Sequence, residues 1–187
     1  MELLQLSRSD LSRERAMQMH ALWEEIWPNT DGLGIEERVE AFFLGSCPEH
    51  RAEAGSERFH VLEGENRLMG VAWTYVRKIH FAALQREEPV LALAGVCSSP
   101  CDRGRGFGRQ IVLDAFSRLC DETPWCLFQT GVPEFYKRLG AFTAENEFVN
   151  RYAEDPQVNP WWEKSVMAYG FSRKWPEGRV DLCGVGY

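Results

Sequence analysis

A short run rich in glycine and arginine, near the middle of the chain, has the residue types of an anion-binding turn. Its members are Arg103, Gly104, Arg105, Gly106, Phe107, Gly108 and Arg109. Glycine has no Cβ, so main-chain N–H groups beside it can come close to a ligand. A helix N-terminus would add unpaired N–H groups and the positive end of the helix dipole, and the arginines add formal charge. The run therefore predicts a site that holds a pyrophosphate.

Other motifs that bind phosphate or nucleic acid fit this run poorly. An RNA-binding arginine–glycine tail would be long and repeated, whereas this run is short and lies between segments with the patterns of ordered structure. The glycines lack the spacing of a dinucleotide-binding fingerprint, and the Gly-Lys-Ser/Thr of a Walker loop is absent. A plain turn without a ligand is the alternative that stays open.

The segments around the run predict a strand before it and a helix after it. Residues 90–96 are almost wholly apolar, as in a central strand covered on both faces, and Gly95 predicts a bulge or a close backbone approach. Residues 107–120 have apolar side chains at helical spacing, which predicts a helix with one buried face. That face consists of Ile111, Val112, Ala115, Phe116 and Leu119.

Further helices and strands complete an α/β order. Asp10 can cap a helix that runs to Trp27, and residues 35–43 and 133–139 predict two shorter helices. The remaining strands are predicted at residues 59–63, 68–79, 125–129, 142–149 and 165–171, with Gly64, Glu65 and Asn66 as a hairpin turn. The order predicts a single domain over residues 1–187, in which a mixed sheet carries helices on both faces.

Composition argues against two classes of partner. The chain has 187 residues, enough for a sizeable core, and no apolar run approaches the roughly 20 residues of a membrane span. A net charge of −7 argues against nucleic acid as a partner and permits a cationic substrate. The first ten residues have no signal-peptide pattern, so we expect a cytoplasmic protein with no membrane partner.

Cysteine and histidine spacing does not predict a metal site. The six cysteines include no C-x-x-C pair, and we expect reduced, mostly buried thiols. His20 falls on the apolar face of the first predicted helix, which favours a core position over a metal ligand. We therefore expect a protein without a metal.

A second motif follows the glycine–arginine run, and the two together carry a family resemblance. Residues 135–142 read Phe-Tyr-Lys-Arg-Leu-Gly-Ala-Phe, and residues 103–108 match the pattern Arg/Gln-x-x-Gly-x-Gly/Ala after a strand. In order and separation the pair resembles the GNAT superfamily of acyl-coenzyme A (CoA) N-acyltransferases, over roughly residues 5–172. The resemblance implies the GNAT fold, an α/β fold with a mixed, mostly antiparallel central sheet whose strands splay at the cofactor site.

The resemblance also implies roles for individual residues. Tyr136 stands at the position of the family's general acid, which protonates the departing CoA thiolate. A phenol with a pKa of about 10 is protonated at neutral pH and can donate in the transition state. The co-substrate acetyl-CoA would run its pantetheine along the backbone of Val96, Cys97 and Ser98, and its pyrophosphate would lie on the N–H groups of residues 104–109.

The general base is open at this point. His80, Glu87 and Glu88 stand at the end of the predicted hairpin and the start of the central strand, where each could accept the ammonium proton of an acceptor. The chain-terminal carboxylate of Tyr187 is a fourth candidate. No spacing in the sequence selects among them.

The C-terminal segment is aromatic and apolar to its last residue, which predicts that it docks instead of fraying. We expect residues 175–187 to act as a structural clasp over the sheet edge or, with Trp161 and Trp162, as an aromatic wall beside the acceptor. Both interpretations are open on the sequence.

These expectations define an N-acetyltransferase that moves an acetyl group from acetyl-CoA to a primary amine by direct attack. The acceptor would be a small, cationic, antibiotic-like molecule. A catalytically silent acyl-CoA sensor and an enzyme that acetylates protein N-termini or lysines are the alternatives. The tyrosine at position 136 favours an enzyme over a sensor, and the sequence leaves open whether the chain forms a homodimer.

Overall fold

The computed structural model describes residues 1–30, 32–45, 51–64 and 67–186. Within these ranges, strands β1 to β9 are Glu2–Leu6, Arg58–Gly64, Arg67–Phe81, Arg86–Ser98, Trp125–Thr130, Phe142–Thr143, Glu147–Val149, Ser165–Gly170 and Arg179–Asp181. Helices α1 to α4 are Arg13–Ile26, Ile35–Leu44, Phe107–Phe116 and Pro133–Lys137. The predicted hairpin-turn residues Glu65 and Asn66, the thiol of Cys47 and the candidate base Tyr187 lie outside the described residues.

The strands form a mixed sheet, which confirms the predicted α/β class. Its order is β1-β2-β3-β4-β5-β8-β6, with β9 beside β3 and β7 beside β9. The pairs β1–β2, β2–β3, β3–β9, β5–β8 and β6–β8 are antiparallel, whereas β4–β5 and β7–β9 are parallel. A parallel pair needs a long crossover, and between β4 and β5 helix α3 supplies it.

Pairing between β4 and β5 joins the middle of β4 to the beginning of β5 in the described chain. Leu91 pairs with Cys126 and Ala92 with Leu127. Strand β5 then continues to Thr130 with β8 as its partner. Strand β4 continues to Ser98 beyond its described pairs with β5, which is the arrangement that splaying requires.

Contacts along the chain divide it into two compact units, each with its own core. The first unit is Met1–Ser46, Glu57–Thr74 and Gly95–Ala115, and the second is Cys47–Ser56, Tyr75–Ala94 and Phe116–Tyr187. Strands β3 and β4 each contribute residues to both units. The extent of a single domain over residues 1–187 stays a prediction.

The core of the first unit is built between helix α1 and strands β2 and β3. Ala16 and Met19 of α1 are fully buried, and Met19 packs in one cluster with Phe59 and Val61 of β2. The helix begins after Ser12, whose hydroxyl accepts a hydrogen bond from the N–H of Arg15 at 3.2 Å. The prediction that Asp10 caps this helix is therefore wrong. Its carboxylate instead accepts from Ser7 and closes a short 3₁₀ turn before the helix.

The C-terminal segment docks within the second unit, as the sequence predicts. Trp175 is buried against Phe81 and Trp125, with ring centroids 5.1 and 5.9 Å away. Arg77 is fully buried and donates to the carbonyl oxygens of Leu182 and Val185 at 2.5 and 2.9 Å. Deleting the segment would expose this core and remove these two acceptors from a buried guanidinium, so deletion is not a clean test of acceptor binding.

Several strand predictions are wrong, and the causes are contacts distant in sequence. The predicted strand over residues 142–149 is two strands, because Asn146 turns away to donate to the carbonyl oxygens of Pro176 and Gly178 at 3.0 and 2.8 Å. Residues 147–149 then pair with β9, which the sequence analysis did not predict. Strand β1 was also missed, since it is a short, half-exposed edge strand.

Helix ends differ from prediction by a few residues. Helix α3 ends at Phe116 and not near Cys120, and α4 ends at Lys137 and not at Leu139. Gly140 closes α4 as predicted, with φ +92° and with its N–H donating to the carbonyl of Lys137. None of the helices in the described ranges has the length and apolarity needed to span a bilayer.

Candidate functional site

The glycine–arginine run forms a tight turn between β4 and α3, in the first unit. A 3₁₀ turn over Pro100–Asp102 follows β4, and α3 begins at Phe107. Gly104 and Gly106 have φ values of +81° and +80°, which L side chains rarely adopt. Apart from the glycine itself and its two chain neighbours, no heavy atom of the described residues lies within 4 Å of a Cβ built on either glycine. Backbone conformation therefore explains the glycines, and the space beside them is open to a ligand.

The turn presents backbone donors and positive charge on an exposed surface. The N–H groups of the first turn of α3 have no acceptor inside the helix, by helix geometry. Arg103, Arg105 and Arg109 are exposed around them. Phe107 is buried and anchors the start of the helix. The arrangement can bind an anion through main-chain N–H groups, the helix dipole and guanidinium groups.

A buried carboxylate, which no sequence motif predicts as part of the site, stands at the beginning of this turn. Asp102 forms an ion pair with Arg67 Nη1 at 2.7 Å and accepts a hydrogen bond from Arg105 Nη1 at 2.8 Å. The guanidinium of Arg67, with that of Arg105, holds the pKa of Asp102 below its ordinary value against the effect of burial. The guanidinium of Arg105 also lies over the ring of Phe107, 4.9 Å from its centroid. Arg67 comes from the start of β3, so no local spacing connects it with the turn.

The end of β4 is held in place by very close packing within the same unit. Gly95 has φ +58°, and the indole Nε1 of Trp23 donates to its carbonyl oxygen at 2.8 Å. A Cβ built on Gly70 of β3 would lie 2.9 Å from the carbonyl oxygen of Cys97. The N–H of Ser99 donates to the carbonyl of Met69 at 2.9 Å. These contacts position the backbone of Val96, Cys97 and Ser98, and the close approach predicted at Gly95 is confirmed.

The thiol of Cys97 has low reactivity at neutral pH. Burial raises the pKa of its thiol to about 12, despite the N–H of Val71 donating a hydrogen bond. The thiolate, which is the nucleophilic form, is therefore scarce at neutral pH. The thiol of Cys97 is therefore poorly suited to act as a nucleophile, and the binding role of its backbone stays a prediction.

Tyr136 lies on the short helix α4 in the second unit. Its side chain is only 5% exposed and packs against the rings of Phe128 and Phe135, with centroids 4.5 and 4.9 Å away. Its carbonyl oxygen accepts from the N–H groups of Leu139 and Ala141, which closes the turn after the helix. The aromatic neighbours restrict the ring to one orientation. Tyr136 belongs to the second compact unit, whereas the glycine–arginine turn belongs to the first.

The three candidate bases that the structure describes have different surroundings in the second unit. His80 lines a cavity of about 370 Å³ with Arg151, Asp181 and five other residues. Glu88 is buried and ion-paired to Arg86 at 2.5 Å, which opposes a role in proton abstraction. Glu87 lies 3.9 Å from Arg151 and accepts from the thiol of Cys183 at 3.8 Å. His80 and Glu87 have Arg151 as a common neighbour, but these contacts do not select either of them as the base.

The two tryptophans of the predicted aromatic wall differ in their surroundings. Trp161 is buried edge-on against Phe148, with centroids 5.7 Å apart, and the backbone at Gly186 packs against it. Trp162 is exposed, and its backbone N–H donates to Oε1 of Gln129 at 3.1 Å. Trp161 therefore joins the clasp made by the C-terminal segment, while a role for either residue toward an acceptor stays a prediction.

Cysteines and histidines make no metal centre in the part of the chain that the structure describes. Cys97, Cys126 and Cys183 are buried, and Cys101 and Cys120 are exposed; all five are free thiols. His20 packs edge-on against Trp23 and Phe42, and burial lowers its pKa. Its aromatic packing agrees with the predicted core position.

Comparison with known proteins identifies the fold. No family model matches the chain, and no curated protein is detectably similar in sequence. Escherichia coli ElaA superposes with a TM-score of 0.54 at 19% identity, covering 90% of this chain and 98% of ElaA. An acyl-CoA N-acyltransferase from Pseudomonas aeruginosa gives 0.52 at 18% identity, covering 90% and 99%.

A third structure matches over part of its length. A GCN5-related N-acetyltransferase from Kribbella flavida superposes with a TM-score of 0.56 at 16% identity, covering 76% of this chain. The chain spans about a third of the Kribbella protein, 33% of its length. The architecture of the protein is that of the GCN5-related N-acetyltransferases, the GNAT fold, and the structure of the sequence-predicted turn lies within it.

Proposed function

We propose that this protein is an acetyltransferase that uses acetyl-CoA to acetylate a primary amine. The observation that carries the proposal is the turn before α3, where Gly104 and Gly106 both adopt positive φ within a GNAT fold. This turn combines exposed guanidinium groups with the N-terminus of a ten-residue helix. Pyrophosphate, the charged linker of CoA, is the kind of anion that these groups bind.

The residues around the turn fit the rest of the CoA molecule in chemistry. The open space at Gly104 and Gly106 admits a phosphate close to main-chain N–H groups. Arg103, Arg105 and Arg109 supply positive charge around it. The polar backbone groups of Val96, Cys97 and Ser98 would hydrogen-bond the amides of the pantetheine. These groups bind and orient, and they do not react.

Bound acetyl-CoA would supply a thioester whose carbonyl carbon an amine can attack. The backbone N–H groups at the end of β4 polarise the carbonyl oxygen, as in an oxyanion hole. Tyr136 holds a proton on its phenol oxygen and gives it to the departing sulfur. Because Cys97 is a buried thiol with a raised pKa, direct attack by the amine is favoured over an acyl-cysteine route.

The acceptor is proposed to be a small cationic amine that the protein meets in the cytoplasm. The net charge of −7 attracts cations over long range, although it does not identify the acceptor. Proton removal from the ammonium form is assigned to a group still to be identified among His80, Glu87 and Tyr187. Either a monomer or a homodimer is compatible with this proposal.

A thiol-release assay tests the proposal directly. The purified chain is mixed with acetyl-CoA and a panel of small amines, diamines, aminoglycosides and lysine-containing peptides, and free CoA is measured over time. Amine-dependent release that is lost in the Gly106→Asp variant supports the proposal, because the new carboxylate would repel the pyrophosphate. Gly178→Asp, at another exposed glycine with positive φ, is the matched control.

Three other results would contradict parts of the proposal. Binding of acetyl-CoA without release for any amine favours the silent sensor. Release with peptides alone favours a protein acetyltransferase. An absence of both binding and release would overturn the assignment to acyl-CoA.

A further inference from the structure

A buried acid at the beginning of a phosphate-binding turn needs a physical reason. A carboxylate repels a bound phosphate, and burying it costs solvation energy unless it is paired. Asp102 is only 3% exposed and stands two residues before Gly104. Its role must therefore lie in the groups that it holds.

Asp102 holds two arginines, one on each carboxylate oxygen. Oδ2 forms an ion pair with Arg67 Nη1 at 2.7 Å, and Oδ1 accepts a hydrogen bond from Arg105 Nη1 at 2.8 Å. The acid is buried, but the side chains of Arg67 and Arg105 are 44% and 59% exposed. A guanidinium has five N–H donors, so one that pairs with a carboxylate can also bind a phosphate. The carboxylate fixes the direction of both guanidinium groups at the edge of the turn.

The start of β3 is tied to the turn by backbone contacts as well. The carbonyl oxygen of Met69, two residues after Arg67, accepts from the N–H of Ser99 at 2.9 Å. Gly70 lets the carbonyl of Cys97 approach so closely that a Cβ would lie 2.9 Å from it. Arg67 therefore projects from a strand fixed against the turn and belongs to the same unit.

We propose that Arg67 is a further ligand for a phosphate group of acyl-CoA, and that Asp102 is the positioning residue that aims Arg67 and Arg105. The inference rests on the proposed function. The phosphate is either the pyrophosphate or the adenosine 3′-phosphate, which share the chemistry that a guanidinium recognises. Asp102 pairs with Arg67 and Arg105, and the turn also carries the exposed Arg103 and Arg109, so these five groups together have a net positive charge.

Binding of CoA and 3′-dephospho-CoA by the full chain tests the proposal. Dissociation constants are measured by isothermal titration calorimetry for the unchanged chain and for Arg67→Gln, Arg67→Lys and Asp102→Asn. Arg13→Gln is the matched control, because Arg13 is 51% exposed, belongs to the same unit and pairs with a single acid, Glu40. Melting temperatures identify variants that fail to fold. If Arg67→Gln does not fold, Arg67→Lys, which keeps the positive charge, takes its place.

We expect Arg67→Gln to raise the dissociation constant of CoA by about tenfold, and Arg13→Gln to leave it unchanged. Arg67→Lys should recover only part of the affinity, since lysine lacks the planar fork. Weaker binding of CoA alone assigns the 3′-phosphate, and equal weakening of CoA and dephospho-CoA assigns the pyrophosphate. Asp102→Asn should also raise the dissociation constant of CoA. The factor should be smaller when the same change is made in the Arg67→Gln variant, because the acid acts through the arginines.

Two results would overturn the inference while leaving the proposed function intact. One is unchanged CoA affinity in a folded Arg67 variant. The other is a loss of CoA affinity in Arg13→Gln as large as that in Arg67→Gln, which would show a general effect of charge. If the unchanged chain binds neither CoA nor dephospho-CoA, the inference and the proposed function both fail.

Discussion

The indole of Trp23 donates a 2.8 Å hydrogen bond to the carbonyl oxygen of Gly95, which joins helix α1 to the end of β4. At Gly95 the backbone has φ +58°, and a Cβ there would lie 3.0 Å from the indole nitrogen. Conformation and packing therefore both require glycine at this position. The contact orients the stretch of backbone that leads into Val96, Cys97 and Ser98.

Gly95→Ala should lower the free energy of unfolding by about 2 kcal/mol or more, from left-handed strain and from crowding against Trp23. Gly32→Ala is the control, because Gly32 has φ +78° and its built Cβ has no heavy atom of the described residues within 4 Å, apart from the glycine and its chain neighbours. Gly32→Ala should lower the free energy of unfolding only through left-handed backbone strain, by about 1–2 kcal/mol. Urea unfolding of both variants measures the difference, and equal losses would show that the Trp23 contact contributes nothing.

Gly106→Ala should weaken acetyl-CoA binding more than it weakens the fold. Strain at φ +80° and a methyl group in the open space next to the N–H donors both act on the anion site. We expect the dissociation constant of CoA to rise about tenfold, with a melting temperature a few degrees lower. Gly178→Ala, at φ +85° in the second unit, should show the melting shift without the loss of affinity.

Tyr136→Phe should lower kcat about 100-fold and leave the KM for acetyl-CoA nearly unchanged, because the ring packing is kept and only the acidic proton is lost. Steady-state thiol release measures both constants. Tyr152→Phe, at an exposed tyrosine, is the control and should leave kcat unaltered. An unchanged kcat in Tyr136→Phe would mean that the phenol is a packing group.

Cys97 should resist alkylation in the native protein at pH 7.5, because burial raises its pKa to about 12. Cys101 and Cys120 are exposed and should react with iodoacetamide within minutes. Peptide mass mapping after a short exposure distinguishes these sites. Cys97→Ala should retain amine-dependent thiol release, and its abolition in a folded variant would point to an acyl-cysteine step.

Asp114 of α3 and buried His60 of β2 should make stability depend on pH in the acid range. His60 Nδ1 lies 2.6 Å from Asp114 Oδ2, and His60 Nε2 lies 2.7 Å from the hydroxyl of Thr74. Burial by itself raises the pKa of Asp114, but the hydrogen bonds from His60 and Gln5 outweigh burial and hold it below 3.8. A depressed carboxyl pKa stabilises the fold above the ordinary value, and this stabilisation disappears as the pH falls through the folded pKa.

Asp114→Asn should therefore cost about 1–3 kcal/mol of unfolding free energy at pH 7 and less at pH 3. Glu36→Gln, which removes an exposed carboxylate from the same unit, should cost little at either pH. Urea unfolding at the two pH values measures the difference. A loss for Asp114→Asn that is equal at pH 7 and pH 3 would contradict the assigned role of its charge.

Much of the turn could be predicted from the sequence, but its supporting residues could not. Positive φ at Gly104 and Gly106, and the buried face of α3, follow from local residue types. Arg67 is 35 positions before Asp102, and neither spacing nor periodicity relates the two. The ion pair exists because β3 lies against the turn, which is a property of the sheet.

The amino-acid sequence by itself determined the α/β class, the apolar strand that leads into the turn, and the glycines that the turn requires. These features depend on backbone preference and on hydrophobic periodicity, which act over a few residues. The tertiary structure alone decided which distant side chains meet there: Trp23 at Gly95, and Arg67 at Asp102. It also decided that residues 179–181 form a strand, because a short segment gains β structure only from the neighbours with which it pairs.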